Sequence, residues 1–220
     1  FVILPALLFA RLYYVTFDFA ANGTHWTAGA FFGVNTSNSS LSAFGAIIGG
    51  FLGICALYAF NRYLFDKNPE KYAYRDVTLS QLCDAAFVAA IFALAVGRWG
   101  DLIDNSSMGT IVQNDALKWF PMAVKSGENW YYATFFYEFL WDAITFAVML
   151  VAYIGKKKSY DGFVSALFML MYGLGRVAID AMRVGTLWLI EDVIRVDQVF
   201  GAAFIVFGLI LFISYLFGAR

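Results

Sequence analysis

Six long stretches of mostly apolar residues recur along the chain, separated by short polar segments. Each is close to the ~20 residues that a helix needs to cross a lipid bilayer. We therefore predict an all-α integral membrane protein, a polytopic helical bundle with six transmembrane helices in a single domain, residues 1–220. The six stretches are Phe1–Phe17, Leu41–Phe60, Ser80–Arg98, Trp130–Ile154, Gly162–Ala181 and Val196–Phe217.

The composition supports the same class and excludes others. The 220 residues are 61% hydrophobic and only 14% charged, whereas soluble domains have about 25% charged residues. The net charge is −1, and no basic tract alternates with aromatic residues, so we expect no nucleic-acid partner. One His and two Cys are too few for a His/Cys metal cluster, and we expect neither a metal nor another cofactor.

Lysines and arginines concentrate in alternate connecting segments, which predicts the orientation in the membrane. Asn61–Leu79 contains four of these cations, and Lys156–Lys158 supply three more. We therefore expect both segments, and the C-terminus at Arg220, on the cytoplasmic side. The loops at about 21–40 and 100–129 are then expected outside.

Three ionisable residues interrupt the fifth apolar stretch. Arg176, Asp180 and Arg183 follow one another at i, i+4 and i+7, so they share one helical face. A charge in the hydrocarbon region costs roughly 2.5–3.5 kcal/mol or more, and it persists only where it faces protein or water. We predict that this face lines an interior cavity near one membrane surface. The alternative is an ion pair between Arg176 and Asp180 that only orients the helix.

Two further arginines lie in apolar surroundings. Arg11 is in the middle of its helix and is expected to face the bundle interior. Arg98 is flanked by glycines at the outer end of the third stretch, and Asp101 and Asp104 follow it. Because the planar guanidinium matches phosphate, Arg98 indicates a polar site at the lipid–water boundary. The alternative is an interfacial anchor, with Trp99 beside it in the aromatic belt.

Two acids and a row of glycines complete the polar pattern. Glu138 and Asp142 share a face of the fourth helix at i, i+4 and can pair with the arginines. The alternative is an ion pair that only joins two helices. Gly45, Gly49 and Gly53 recur at every fourth position of the second helix. This spacing predicts the close approach of another helix or of a lipid chain, with helix packing favoured.

Six blocks of the sequence, in order, resemble the prolipoprotein diacylglyceryl transferases. These are bacterial inner-membrane enzymes that move diacylglyceryl from phosphatidylglycerol to a lipobox cysteine. The resemblance implies seven helices, a multi-pass protein of the cytoplasmic (inner) membrane, and a first helix missing before Phe1. The six blocks are Ala10–Val15, Phe44–Gly50, Gly97–Gly109, Thr134–Glu138, Tyr172–Arg183 and Asp197–Gln198.

The resemblance also implies a reaction and its residues. The cysteine thiol of a prolipoprotein signal peptide attacks the glycerol carbon of phosphatidylglycerol, and glycerol 1-phosphate leaves. Arg98 and Arg176 are the candidates for stabilising the phosphate, and Asp101 or Asp180 for accepting the proton. Phospholipid binding is expected from Arg11, Tyr14, Gly45, Arg98, Gly109, Arg176 and Arg183, with Asp104, Tyr137, Glu138 and Gln198 in support.

Some positions depart from the family's pattern. Its signature runs Gly-Arg-x-Gly-Asn-x-x-Asn-x-Glu, whereas Asp101, Asp104 and Ser106 stand here for the two Asn and the Glu. Phe44 stands for a His or Tyr, and Tyr132-Ala133 for a His-Pro pair. Two other classes therefore stay open. One is a catalytically degenerate relative that binds anionic phospholipid or lipoprotein, and the other is a solute-binding subunit of a transporter.

Overall fold

Six α-helices dominate the part of the chain that the computed structural model describes. That part comprises residues 2–22, 29, 41–67, 77–104, 108–155, 160–184, 188–190 and 194–218. The helices are α1 (Ile3–Asn22), α2 (Ala43–Lys67), α3 (Leu79–Asp104), α4 (Thr134–Ile154), α5 (Phe163–Asp180) and α6 (Val196–Gly218). Helices α2 to α6 are long and apolar enough to cross a membrane, and α1 has a shorter apolar stretch, Ile3–Phe17. The predicted all-α polytopic membrane fold is confirmed.

The start of the fourth helix differs from the prediction. Residues 130–132 belong to strand β2 (Asn129–Tyr132), which pairs antiparallel with β1 (Ala123–Ser126), and the helix begins only at Thr134. Aromatic residues favour strands as well as membrane spans, so an apolar run alone does not separate the two. A short 3-10 helix, Asp115–Leu117, precedes this hairpin.

The end of α3 and the start of α6 also differ in detail from the predicted loops. Helix α3 continues past Arg98 to Asp104, so Arg98 lies inside a helix and not at its end. A second short pair, β3 (Trp188–Ile190) and β4 (Ile194–Arg195), precedes α6. Most of the predicted outer loop 21–40, the lysines at 156–158 and Arg220 lie outside the described residues.

Helix α5 is the central element of the bundle. Half of its apolar window is buried, against at most 28% in α2, α3, α4 and α6. It packs against α3, α4 and α6. An aromatic column runs along it, because Phe168 stacks on Phe87 of α3 at 4.5 Å and on Tyr172 at 5.3 Å between ring centroids. Such ring pairs add to the burial of apolar area.

The first turn of α5 is capped by a side chain from α3. The carboxylate of Asp84, which is buried, accepts hydrogen bonds from the backbone N–H of Gly162 and of Ser165, both at 2.8 Å. The hydroxyl of Ser165 donates to it at 2.6 Å. These bonds satisfy N–H groups that a helix start otherwise leaves unpaired. They also fix how far α5 is displaced along α3.

The glycine row of α2 packs against α1. A β-carbon at Gly45 would lie 2.7 Å from the Tyr13 Cβ, and one at Gly49 would lie 2.6 Å from the Phe9 Cβ and collide with the Pro5 carbonyl oxygen. Only hydrogen fits at these two positions. The glycines therefore allow two helix backbones to meet, as small residues do in membranes, which is the packing interpretation that the sequence favoured.

Adding one methyl group at Gly49 should loosen this helix pair. We expect Gly49→Ala to lower the free energy of unfolding by about 1–3 kcal/mol, the usual cost of overpacking. Gly50→Ala is the matched control, because its new methyl group would lie 3.9 Å from the nearest atom. Thermal unfolding in detergent measures both variants, and equal melting temperatures would contradict the packing argument.

Candidate active site

One buried carboxylate joins arginines from two different helices. Glu138 of α4 is 3% exposed. Its Oε2 lies 2.6 Å from Nη1 of Arg98 on α3, and its Oε1 lies 3.2 Å from Nη1 of Arg176 on α5. Arg183, just beyond α5, reaches the same Oε1 with its Nη1 at 3.8 Å. Three cationic side chains therefore converge on a single acid.

Two more acids surround Arg98. Asp142, one helical turn after Glu138 and also buried, has its Oδ2 3.6 Å from the Nε of Arg98. Asp101, one turn after Arg98 on the same helix, has its Oδ2 3.5 Å from Nη1. Arg98 is therefore balanced by carboxylates on both sides, which is the condition under which a buried charge is tolerated.

Aromatic rings and a hydrogen bond fix the orientation of Arg176. Its Nε donates to the hydroxyl of Tyr172 at 3.1 Å. Its guanidinium carbon lies 5.5 Å from the ring centroids of both Phe44 and Tyr172, within the range of a cation–π contact. The indole of Trp141 donates to the Met171 carbonyl at 2.8 Å and braces the same turn of α5. The arginine is thus preorganised, with its donor edge directed at Glu138.

Asp180 does not pair with Arg176. Asp180 is fully buried, and among the described residues neither of its carboxyl oxygens has a hydrogen-bond partner or a salt bridge. The predicted alternative of an Arg176–Asp180 ion pair is therefore wrong, because Arg176 reaches across to α4 and not along its own helix. Arg195 instead bonds the backbone carbonyls of Asp180 and Arg183, the latter at 3.1 Å. A buried carboxyl group without donors is rare and marks a functional candidate.

Gly109 acts through its backbone. Its N–H donates to the Tyr132 carbonyl at 2.9 Å, and it bridges to Arg183 in an antiparallel pairing. A β-carbon at Gly109 would lie 2.7 Å from the Tyr132 Cβ and 3.1 Å from the Met182 carbonyl oxygen. The close contact of these segments holds the backbone of Arg183 beside the site.

The other predicted site residues have contacts that do not include Glu138. Arg11 is buried, with its guanidinium carbon 5.7 Å from the Tyr14 ring centroid. The hydroxyl of Tyr137 donates to the Met122 carbonyl at 2.5 Å. This bond connects α4 to the residue just before β1. Gln198 is half-buried in the first turn of α6. Gly45 lies in the α1–α2 interface already described, and the side chain of Asp104 lies outside the described residues.

The pairing that the sequence allowed for Asp142 is present, since Asp142 contacts Arg98. Tyr172 was given no role from the sequence, although its hydroxyl accepts a hydrogen bond from Arg176. Its spacing could have found it, because Tyr172 precedes Arg176 by four residues. Tyr13 of α1 was not assigned either, and its burial, greater than that of the assigned Tyr14, is visible only in the structure.

An apolar groove of about 580 Å³ reaches Arg98 from between α1, α2 and α3. Its walls are mostly small or aliphatic, and Arg98, inside the last part of α3, contributes the charged group. A second, small cavity of about 10 Å³ lies among Arg98, Glu138, Asp142 and Arg176, which is about the room of one water molecule. Within the described part of the chain, no group of three or more His, Cys, Asp or Glu is placed to hold a metal ion.

Comparison with known proteins adds to this geometry. Residues 1–214 match the sequence profile of the family described as prolipoprotein diacylglyceryl transferase. A phosphatidylglycerol–prolipoprotein diacylglyceryl transferase of Clostridium novyi is 31% identical, covering 97% of this chain and 76% of that protein. A protein of the same name from Streptococcus pyogenes is 28% identical, covering 95% of this chain and 74% of that protein. The resemblance found in the sequence blocks is thereby confirmed.

Removing the central negative charge should destabilise the whole cluster. Glu138→Gln leaves three arginines close together without their common partner, and breaking a buried ion pair costs about 3–5 kcal/mol. We expect a correspondingly lower free energy of unfolding in detergent. Glu128→Gln, at an exposed position in the β1–β2 turn, is the matched control and should unfold like the unaltered protein. A Glu138→Gln variant as stable as this control would show that the cluster does not depend on Glu138.

Proposed function

Because this chain belongs to the prolipoprotein diacylglyceryl transferase family, we propose that it transfers diacylglyceryl from phosphatidylglycerol to a lipobox cysteine. The acceptor is the thiol of a prolipoprotein signal peptide, and the second product is glycerol 1-phosphate. The proposal rests on one observation above all. Arg98 and Arg176, from separate helices, share the carboxylate of Glu138, and Arg98 also lines an apolar groove.

That arrangement suits the two parts of a phospholipid. The groove between α1, α2 and α3 offers apolar surface and about 580 Å³ of space, which suits an acyl chain. At its charged end the Arg98 guanidinium offers planar donors, which suit a phosphate. Apolar walls do not stabilise a soluble anion, whereas they do stabilise an acyl chain. The groove therefore favours a lipid substrate over the transporter alternative.

The chemistry requires charge stabilisation on the leaving group. A carbon–sulfur bond forms at the glycerol carbon while the carbon–oxygen bond to the phosphate breaks. The departing glycerol phosphate carries the electrons of that bond. In this proposal Arg98 and Arg176 hold its oxygens in a site with little water, where preorganised donors contribute several kcal/mol, about 3 in typical cases. Arg183 reaches the same region, and Asp101 and Asp180 are the acids proposed near the reacting atoms.

The proposed orientation follows from the reaction and from the charges of the loops. Family membership and the apolar helices are those of a multi-pass protein of the bacterial cytoplasmic membrane. In the proposal, the Arg98–Glu138–Arg176 end of the bundle faces the outer leaflet, where exported signal peptides arrive. The opposite end, with Asp84 and the start of α5, then lies towards the cytoplasm together with the C-terminus.

One observation favours the degenerate relative as a second candidate. Phe44, which stands where the family has His or Tyr, is fully buried against Arg176 and offers no proton acceptor there. A protein of this second kind would bind phosphatidylglycerol but leave the acceptor peptide unmodified. The two candidates therefore differ in one measurement, the formation of thioether.

The two arginines are the first test. We expect Arg98→Gln and Arg176→Gln each to lower kcat for thioether formation by roughly 100-fold to 1,000-fold, the usual loss of an oxyanion donor. The assay uses the protein in phosphatidylglycerol vesicles with a lipobox peptide, followed by mass spectrometry. Arg62→Gln, an exposed arginine near the end of α2, is the matched control.

The Arg→Lys variants separate catalysis from folding. Lysine keeps the positive charge beside Glu138 but lacks the planar set of N–H donors that a guanidinium offers. We therefore expect the Lys variants to fold and still to form thioether more slowly than the control. If both Gln variants and both Lys variants lipidate the peptide like the Arg62→Gln control, the assignment of the arginines is wrong.

Filling the groove tests the lipid part of the proposal. Ala90 of α3 lines the groove, whereas Ala85 of the same helix is exposed outside it. We expect Ala90→Phe to raise the KM for phosphatidylglycerol several-fold, because the ring takes space meant for an acyl chain. Ala85→Phe should leave KM unchanged. Equal KM values for the two variants, measured in mixed micelles of defined composition, would exclude the groove as the acyl-chain site.

A further inference from the structure

A turn of bulky apolar residues lies just before strand β1 and is largely uncovered. Trp119 is 51% exposed, Phe120 is 52% exposed and Met122 is 39% exposed. Together with Pro121 they form a continuous apolar turn, Trp119–Met122. A contiguous exposed patch of large apolar side chains indicates a contact with another protein or with a membrane. The proposed reaction gives this turn no role.

Hydrogen bonds hold the apolar turn against the start of α4. The Met122 carbonyl oxygen accepts hydrogen bonds from the Tyr137 hydroxyl at 2.5 Å and from the Ala133 N–H at 3.2 Å. Within the turn, the Trp119 carbonyl oxygen accepts from the Ala123 N–H at 2.8 Å. Backbone groups bonded in this way can lie in a layer with little water, where unbonded ones are costly. The exposed side chains are therefore presented from a fixed backbone.

The lipid-facing side of α4 leads directly to this turn. Exposed apolar side chains recur along one face of the helix at i, i+4, i+8 and i+11, namely Leu140, Ile144, Val148 and Val151. In a membrane-spanning bundle such a face lies against lipid. Phe136 precedes Leu140 by four residues on the same face, and its ring centroid lies 5.3 Å from that of Phe120. The apolar turn therefore extends the surface that α4 presents to lipid.

Helix α3 contributes a second face of this kind. Its exposed apolar residues follow one another at i, i+4, i+7 and i+11, namely Phe92, Val96, Trp99 and Ile103. The ring centroid of Trp99 lies 5.3 Å from that of Phe139 on α4, and Phe139 lies 6.0 Å from Phe136. The two lipid-facing surfaces thus meet in one aromatic cluster beside Phe120. Tryptophan is enriched at the boundary between lipid and water, and this cluster lies where both spans reach their ends.

The opposite end of the β1–β2 hairpin is polar. Lys125, Glu128 and Asn129 are exposed at or beside the turn that joins the two strands. The hairpin therefore has an apolar end beside α4 and a polar end away from it. A segment at a bilayer surface is arranged in this way, because its apolar side chains lie towards the acyl chains and its polar ones lie in water.

We propose that the apolar turn lies in the headgroup layer of the lipid leaflet at the Arg98 end of the bundle, with Trp119 and Phe120 against lipid. Lipid is favoured over a protein partner because the turn continues two helix faces that lie against lipid. Since the Tyr132 carbonyl of β2 accepts a hydrogen bond from Gly109, the contact also holds the segment beside Arg183 at the level of the headgroups. This inference does not depend on the proposed reaction.

The test measures which medium surrounds the turn. A nitroxide label is attached to Phe120→Cys in a protein that carries Cys55→Ala and Cys83→Ala and is reconstituted in phosphatidylglycerol vesicles. Electron paramagnetic resonance then compares collisions with oxygen, which concentrates in lipid, and with a water-soluble nickel complex. We expect the ratio of oxygen to nickel collisions to be several-fold higher than for Glu128→Cys, the matched control at the polar end of the same hairpin. Ile144→Cys, on the lipid-facing side of α4, gives the reference value for a site in lipid.

Three results would overturn the proposal. The first is a Phe120→Cys label that meets the nickel complex as often as the Glu128→Cys label. The second is spin–spin broadening that grows with protein density in the vesicles, because a second copy of the chain would then cover the turn. The third is protection from nickel only after a lipobox peptide is added, because the turn would then bind peptide.

A second position guards against a folding defect. If Phe120→Cys melts earlier in detergent than its cysteine-free parent, the same comparison is made with a label on Trp119→Cys, whose side chain is equally exposed. The same three results would then decide. Failure at both positions would leave the proposed transferase function standing, since thioether formation is measured separately.

Discussion

The bundle depends on one ionic junction, the carboxylate of Glu138 between Arg98 and Arg176. Each of these three charges would be costly alone in a low-dielectric interior. Together they compensate one another, and because they come from α3, α4 and α5 the compensation exists only when those helices are correctly placed. The junction therefore makes the arrangement of three spans a condition for burying the charges. In the proposed function this arrangement also serves an anionic headgroup, since the arginine donors are already gathered.

The opposite end of the bundle supports this junction. Asp84 of α3 caps α5 through Gly162 and Ser165, and the stacked rings of Phe87 and Phe168 continue the contact along the two helices. Arg98 and Arg176 lie further along those same helices. A helix that slid by one residue would move its arginine by about 1.5 Å, enough to lose the short contact with Glu138. The bonds of Asp84 and the aromatic column therefore help to set the positions of Arg98 and Arg176 relative to Glu138, although they lie at the other end of the helices.

The membrane spans and the interior polar site could be predicted from the sequence. The predictions that failed depend on how the helices are rotated against one another or on residues that suit two kinds of structure. The apolar stretches predicted the spans because a bilayer requires a fixed length, and the charges in them predicted an interior polar site because lipid excludes charge. The partner of Arg176 was not predictable, since Asp180 and Glu138 were both plausible and only the rotation of α5 against α4 decides between them. The early start predicted for the fourth helix failed because Trp130 to Tyr132 satisfy strand and span patterns alike. Tyr13 was missed for a related reason: sequence does not say which of two adjacent tyrosines faces the core.

The acids around Arg176 differ in their bonding, and the proposed function uses that difference. Glu138 is paired with guanidinium groups, so in the proposal it holds the arginines that receive a phosphate and is unsuited to accept a proton. Asp180 has no hydrogen-bond partner among the described residues, which leaves its carboxyl group available to a proton. Leaving-group stabilisation requires a paired carboxylate, and proton acceptance requires an unpaired one. The proposed reaction assigns these two requirements to Glu138 and Asp180, which lie on different helices.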